Sequence, residues 1–149
     1  DIVSRITENQ IIGIALAPLM HGASWWYCCI QLLAGNKVIL NHERSFDAEQ
    51  IWGICEKEKC NAVQIVGDAM AIPLVDALEA NPERWDLSAI FNVGSGGAVF
   101  SEAKQDAFKK YFPNVFITNS FGSSESGQMG MDNGAKRGKA GLGNVMKSD

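Results

Sequence analysis

The sequence predicts an α/β fold in which a mostly parallel sheet forms the middle of three layers, with helices on both faces. Apolar segments of strand length alternate about five times with amphipathic segments of helix length, an order typical of a parallel sheet with helical connections. The apolar segments are rich in Ile and Val and alternate little, as in strands that are buried on both faces. With 149 residues, 46% of them apolar, the chain can form one core of ordinary domain size.

Five segments are predicted to be strands, and helices are predicted between them. The first helix covers residues 23–33, because its apolar positions share one face and Gly35 stands where a C-terminal cap belongs. We expect Trp25, Trp26 and Tyr27 of this helix in the core. The predicted strands cover residues 13–17, 37–41, 62–66, 90–93 and 115–118.

The other predicted helices begin at polar caps. Asp47 and Gln50 have the spacing of a capping box. Asp68 is a candidate cap for the next helix, with Pro73 in or near its first turn, where proline is tolerated. Ser101 opens the last predicted helix.

Residues 1–131 are predicted to form a single domain, followed over 132–149 by a mobile tail rich in charge and glycine. The first residues lack the pattern of a signal peptide, and the apolar run 11–20 is too short to span a bilayer as a helix. We therefore expect a cytoplasmic protein without a transmembrane segment. Both ends indicate a piece of a longer parent, whose N- and C-terminal parts are missing here.

Charge and cysteine content exclude several classes of protein. The net charge of −4 argues against nucleic acid as a partner. The four cysteines have no C-x-x-C spacing and there are only two histidines, which indicates neither a zinc site nor a disulfide framework. Reduced, mostly buried thiols are expected.

Two segments rich in glycine follow predicted strands and are expected to form loops. They cover residues 94–98 and 119–127, and ligands of parallel sheets bind beyond the carboxyl ends of strands. If the two strands are neighbours, the glycines offer a flat surface and Phe121 an aromatic face for a planar base. Ser124 and Glu125 would then provide a hydroxyl for phosphate and a carboxylate for Mg²⁺. Taken alone, the second segment also fits an ordinary surface turn.

Other catalytic motifs fit poorly. A dinucleotide-binding fingerprint needs a small residue where Val99 stands, and a nucleophile elbow needs glycine where Ser126 stands. No G-x-x-x-x-G-K-[ST] phosphate loop occurs. A lone histidine such as His21 is more often simply hydrogen-bonded than functional.

Four motifs in order resemble those of the AMP-forming adenylating enzymes, the superfamily of acyl-CoA synthetases, luciferases and peptide-synthetase adenylation domains. The motifs lie at residues 18–22 (Pro-Leu-Met-His-Gly), 66–70, 94–98 and 121–125 (Phe-Gly-Ser-Ser-Glu). The runs at 67–70, 86–88 and 120–125 look most like those of bacterial fatty-acyl and sterol-side-chain CoA ligases.

The resemblance implies a role for each matching residue. Ser124 and Glu125 would be catalytic, Ser124 at the phosphates and Glu125 on Mg²⁺, while Phe121 would stack on adenine. Phe121 stands for the family's tyrosine and Ser124 for its threonine, which are mild departures. His21, Trp25, Gly67 and Ser95 would line the acyl pocket. The implied nucleotide-binding residues are Gly96, Gly97, Ala98, Asn119, Ser120, Phe121, Gly122, Ser123 and Ser124.

The implied parent is an ATP-dependent acid–CoA ligase that activates a fatty or sterol-derived acid as its acyl-adenylate, releases AMP and uses CoA as co-substrate. The family's phosphate loop, ribose-binding aspartate and catalytic lysine do not occur here, so we expect this piece to be inactive alone. Two alternatives stay open: a non-catalytic nucleotide-binding or scaffold module, and an adenylation domain that loads a carrier protein. The sequence indicates neither acyl specificity nor oligomeric state.

Overall fold

A computed structural model describes residues 10–41, 45–123, 127–132 and 145–147. Strands and helices alternate along most of this part of the chain. In order, the elements are β1 Ile12–Ala15, α1 Gly22–Leu33, β2 Lys37–Leu40, α2 Ala48–Glu58, β3 Ala62–Ile65, α3 Gly67–Ala80, β4 Asn92–Gly96, α4 Glu102–Tyr111, β5 Phe116–Ser123, β6 Gly127–Asp132 and β7 Val145–Lys147.

The strands form one sheet in the order β2-β1-β3-β4-β5-β6-β7. The first five pair in parallel, whereas β6 and β7 pair antiparallel. The crossover from β1 to β2 steps one way along the sheet, and the later crossovers step the other way. Since such crossovers are right-handed, α1 lies on one face and α2, α3 and α4 lie on the other. The predicted three-layer α/β fold is confirmed.

The main core fills the space between the sheet and the three helices α2, α3 and α4. Alternate strand residues such as Ile14, Val63 and Val93 point into it, as the two-residue period of a strand requires. Trp52 and Phe108 are completely buried there. These contacts hold β3 and β4 firmly, so their carboxyl ends have fixed positions.

Helix α1 packs on the opposite face through a narrow strip. Ser24 and Cys28 are buried, but Trp25 is 52% and Trp26 47% exposed. The prediction that these two tryptophans lie in the core was wrong. Tyr27 lies so close to Gly13 of β1 that its hydroxyl occupies the place of a side chain there. That close approach turns the strip around Ser24 and Cys28 toward the sheet and leaves the tryptophans on an outer face of the helix.

The helix ends agree with the sequence at some positions and differ at others. Asp47 caps α2 by accepting a hydrogen bond from the backbone N–H of Gln50, as predicted. Asp68 does not cap α3, because Val66 is its N-cap residue and makes no side-chain cap bond. Pro73 lies inside α3 rather than in its first turn.

Two strands extend further than predicted. Strand β4 continues to Gly96, and β5 continues to Ser123, so parts of both predicted loops are strand. Strand β7 lies within the predicted tail over 132–149. Gly96 is paired with Ser120 of β5, and residues 119–123 are paired with β6, partners that local glycine and serine content does not reveal. The division into one domain and a tail stays a prediction.

All four cysteines are free thiols, and three of them are buried. A hydrogen bond to Cys60, together with burial, raises the pKa of Cys55, while the same bond lowers the pKa of Cys60. Within the described residues, no helix has the length and apolar character needed to cross a membrane.

Candidate functional site

The carboxyl ends of β4 and β5 lie side by side, as required for the predicted site. The two strands are paired in parallel, with Gly96 beside Ser120. One residue further along each strand, Gly97 and Phe121 therefore come to the same edge of the sheet. Phe121 is 43% exposed, so an aromatic side chain is accessible at the edge that carries the glycine-rich turn.

Glycines in β4 lie against polar side chains of the neighbouring strands. A side chain at Gly94 would meet Oε1 of Gln64 at 2.5 Å, and one at Gly96 would meet Oγ of Ser120 at 2.7 Å. Gly97 has a φ of +85°, which L side chains rarely adopt. The result is a stretch of backbone without projecting side chains, suited to a flat ligand.

Hydrogen bonds join this edge to the neighbouring strand and helix. The Ser120 hydroxyl donates to the carbonyl oxygen of Ser95 at 3.2 Å. The buried Ser95 hydroxyl accepts from the backbone N–H of Gly67 at 3.0 Å. Of the predicted acyl-pocket residues, Ser95 and Gly67 are thus in contact with each other.

His21 lies beside Gly97 of the glycine turn. Its Cε1 atom is 3.0 Å, and its Nε2 atom 3.7 Å, from the place where a side chain on Gly97 would begin. Nδ1 accepts a hydrogen bond from the backbone N–H of Ala23 at 3.2 Å, which makes His21 the N-cap of α1. An imidazole whose Nδ1 accepts carries its hydrogen on Nε2 when neutral, so His21 presents a donor on the side of Gly97.

Trp25, the remaining predicted acyl-pocket residue, lines an open depression at the start of α1. The depression measures about 560 Å³. Its lining is mostly apolar and consists of Leu19, Met20, Gly22, Trp25 and Trp26. In sequence, His21 lies between Met20 and Gly22 of this lining, and its ring lies beside Gly97 of the glycine turn.

The predicted phosphate and metal residues, Ser124 and Glu125, lie outside the described residues. Asn119, Ser120 and Gly122 belong to β5 rather than to a loop, and a β-bulge falls between Phe121 and Gly122. Such bulges often re-aim side chains near functional sites. Among the described residues, no group of three or more His, Cys, Asp or Glu could hold a metal ion.

Two polar residues in the strands that lead to this edge were not singled out as site residues from the sequence. Gln64 is buried in the middle of β3 and faces Gly94, and Thr118 lies beside the same glycine. The available signal was a single glutamine within an apolar strand, a position where a polar side chain is costly unless it has a partner. Gln64 and Thr118 form a polar strip along the sheet face that carries α1.

Sequence comparison relates the chain to one enzyme family and to individual CoA ligases. Residues 3–146 match the family described as AMP-binding enzyme. A 3-oxocholest-4-en-26-oate–CoA ligase from Rhodococcus rhodochrous is 37% identical over 95% of this chain and 26% of its own length. A medium/long-chain-fatty-acid–CoA/3-oxocholest-4-en-26-oate–CoA ligase from Mycobacterium tuberculosis (strain ATCC 25618 / H37Rv) is 38% identical over 85% of this chain and 23% of its own length. The chain thus spans about a quarter of these relatives.

Solved structures share the fold at lower identity. A long-chain-fatty-acid-CoA ligase from Archaeoglobus fulgidus superposes with a TM-score of 0.72 at 18% identity, over 89% of this chain and 28% of that one. The luciferase-like enzyme from the mealworm Zophobas morio gives a TM-score of 0.72 at 20% identity, over 83% of this chain and 28% of that one.

Proposed function

The chain belongs to the AMP-binding enzyme family, and on this premise we propose that it is part of an ATP-dependent acid–CoA ligase. In this reaction a carboxylate attacks the α-phosphate of ATP, pyrophosphate leaves, and the thiol of CoA then displaces AMP from the acyl-adenylate. The curated relatives named above are all called CoA ligases, which favours CoA over a carrier protein as the acceptor. The enzyme would act in the cytoplasm.

One observation carries the proposal for this chain: β4 and β5 pair in parallel up to Gly96 and Ser120, so the next residues, Gly97 and Phe121, follow at the same edge of the sheet. The glycine turn fits one side of a planar base, and the exposed ring of Phe121 offers a surface on which the base stacks. Gly96, Ala98, Asn119 and Ser120 would border the same nucleotide. Gly122 and Ser123 continue the strand toward the phosphates.

Ser124 would donate a hydrogen bond to a phosphate oxygen, and Glu125 would hold Mg²⁺. A single carboxylate fits this ion, because Mg²⁺ in nucleotide sites usually keeps several waters and is bound by one or two carboxylates together with phosphate oxygens. When bound, Mg²⁺ would neutralise charge on the phosphates. The glycine-rich backbone keeps side chains away from the base.

The acid would enter beside His21, whose Nε2–H group can donate to a carboxylate oxygen. Ser95 and Gly67 would form the wall opposite, and Trp25 would line the apolar entrance. An apolar, fatty or sterol-derived acid is the proposed substrate class, since the relatives are named for fatty acids and 3-oxocholest-4-en-26-oate.

The experiment compares Phe121→Ala with Phe116→Ala in the full-length protein. Both phenylalanines lie on β5 and are about equally exposed, at 43% and 50%, but Phe116 stands at the opposite end of the strand. Losing a base–aromatic stack costs about 1–3 kcal/mol. Phe121→Ala should therefore weaken AMP binding, measured by titration calorimetry, roughly 5- to 150-fold, while Phe116→Ala should bind as the wild type does.

Equal AMP affinity for the two variants would remove Phe121 from the nucleotide site. ATP–pyrophosphate exchange that depends on an added fatty or sterol acid, followed by thioester formation with CoA, tests the reaction itself. Nucleotide binding without any exchange would favour the non-catalytic module.

A further inference from the structure

The turn between β4 and α4 is held by the first residues of α3. The backbone N–H of Asp68 donates to the carbonyl oxygen of Val99 at 2.9 Å. The carboxylate of the same residue accepts from the backbone N–H of Ser101 at 2.9 Å. Asp68 thus bonds the turn at two points, one on each side of Phe100.

Packing alone does little to hold the outer part of this turn. Gly97 and Ala98 are exposed, and Val99 is 80% exposed. Only Phe100 is buried. The exposed residues 97–99 are therefore held from α3 by the bond at Val99 and, at the end of the turn, by the carboxylate bond at Ser101.

The carboxylate of Asp68 accepts a hydrogen bond from the turn and not from its own helix. The N-cap residue of α3 is Val66, which makes no side-chain cap bond, and Ser101, the N-cap residue of α4, makes none either. An aspartate at the N-cap position bonds the first turn of its own helix, but Asp68 is the second residue of α3. Here the carboxylate bonds the N–H of Ser101, and a charged acceptor makes a stronger hydrogen bond than a neutral one.

Gly67 allows this close approach. Its φ is +59°, and a side chain there would lie 2.5 Å from the carbonyl oxygen of Val99 and 2.8 Å from Cβ of Ala98. The helix start can therefore reach the turn only with glycine at 67, which brings Asp68 within bonding distance of both Val99 and Ser101.

We propose that Asp68 is a positioning residue that holds the turn at 97–99 in the shape that receives the nucleotide base. This inference rests on the proposed function, because that turn forms half of the nucleotide site. Without the carboxylate the turn would sample other shapes, and apparent affinity falls by the fraction of molecules that keep the competent one.

The experiment uses the full-length protein with Asp68→Ala, Asp68→Asn and, as a matched control, Asp76→Ala at an exposed position of the same helix. Asn keeps an oxygen acceptor of the same length, so it should restore most of the function that Ala removes. We expect Asp68→Ala to raise the KM for ATP about tenfold, with a smaller change in kcat. Hydrogen exchange of the amides at 97–101 should speed up in Asp68→Ala and not in Asp76→Ala.

Ser101→Pro removes the backbone N–H that donates to the Asp68 carboxylate, without a change in α3. Ser101 has a φ of −66°, which proline adopts. It should reproduce the rise in KM, and the double variant with Asp68→Ala should be no worse than either single variant. Ser101→Pro also tests the positioning role if Asp68→Ala does not fold.

Two results would overturn the inference: a KM for ATP in Asp68→Ala that equals that of Asp76→Ala, or Asp68→Asn that is as impaired as Asp68→Ala. The nucleotide site itself is tested separately, by AMP binding to Phe121→Ala. If Phe121→Ala weakens AMP binding while Asp68→Ala does not change the KM, only the positioning role fails.

Discussion

Trp52 combines two kinds of stabilisation in one side chain. It is completely buried, its ring contacts Phe112, and its indole N–H donates to the carbonyl oxygen of Leu74 at 3.0 Å. The bond ties α2 to the middle of α3. The sequence reveals the apolar stripe of α2, but not which carbonyl this indole reaches.

Replacing Trp52 with Phe should lower the free energy of unfolding by about 2 kcal/mol, because a cavity forms and a buried carbonyl loses its donor. Urea unfolding of the full-length protein measures this. Trp26→Phe, at a position 47% exposed, should change stability by less than about 0.5 kcal/mol. Equal losses in the two variants would contradict the role of burial at Trp52.

The exposed carboxylate of Asp86 makes the stability of the fold depend on pH. Its carboxylate accepts from the hydroxyl and backbone N–H of Ser88 and pairs with Lys59 at 2.9 Å. The Ser88 hydroxyl first, and then Lys59, lower the pKa of Asp86 below its ordinary value of 3.8. Since the pKa is lower in the folded state, these contacts stabilise the fold above that value, and the contribution is lost as the pH falls below it.

Asp86→Asn should therefore be less stable than the wild type at neutral pH, and the difference should shrink below about pH 4. The difference should be small, because the carboxylate is exposed and screened. Urea unfolding of both proteins across this range measures it. A difference that stays constant down to about pH 3 would contradict the assignment.

At the scale of elements, glycine is needed at the start of one helix, whereas in the interior of another helix nothing requires it. Gly67 begins α3 at a φ of +59°, against the carbonyl oxygen of Val99. Gly53 lies inside α2, and a side chain there would meet nothing within 4 Å. Sequence alone does not distinguish these positions, because only the first is in contact with another element.

Gly67→Ala should lower the free energy of unfolding by roughly 1–3 kcal/mol, through backbone strain and the clash with Val99. Gly53→Ala should raise it by about 0.5–1 kcal/mol, since alanine favours a helix interior. Thermal and urea unfolding of the two variants check the signs. Stabilisation by both would mean that α3 begins elsewhere.

The corrected elements share a physical cause. Strand β5 runs through the first part of the segment predicted to be a loop because β6 pairs with residues 119–123 and β4 with residues 119 and 120. Likewise α1 exposes Trp25 and Trp26 because Tyr27 is held over Gly13. In both cases a contact between elements of the tertiary structure outweighs local composition.

At the scale of the whole molecule, the chain supplies one side of the proposed site. It spans about a quarter of the relatives named above. The resemblance puts the phosphate loop and the catalytic lysine in other parts of such a protein. The glycine turn and Phe121 would then bind a base without the groups that complete catalysis.

The 149-residue chain alone should therefore show no acid-dependent ATP–pyrophosphate exchange, whereas the full-length protein should. The absent lysine and phosphate-loop donors are the reason, since charge on the transferring phosphate would lack its main stabilisation. Exchange by the isolated chain above a buffer control would overturn this expectation. A circular dichroism spectrum of the chain controls for folding.

From local composition and spacing alone, the sequence specified the alternation of strands and helices, the buried strands β1, β3 and β4, the cap at Asp47 and the order of the family motifs. Strand β2, also predicted to be buried on both faces, lies at the edge of the sheet and is partly exposed. The tertiary structure decided that β4 and β5 are neighbours, that β5 continues through the serine and glycine segment, and that Asp68 bonds the turn before α4. These depend on hydrogen bonds and close approaches between elements, which exist only once the sheet has formed.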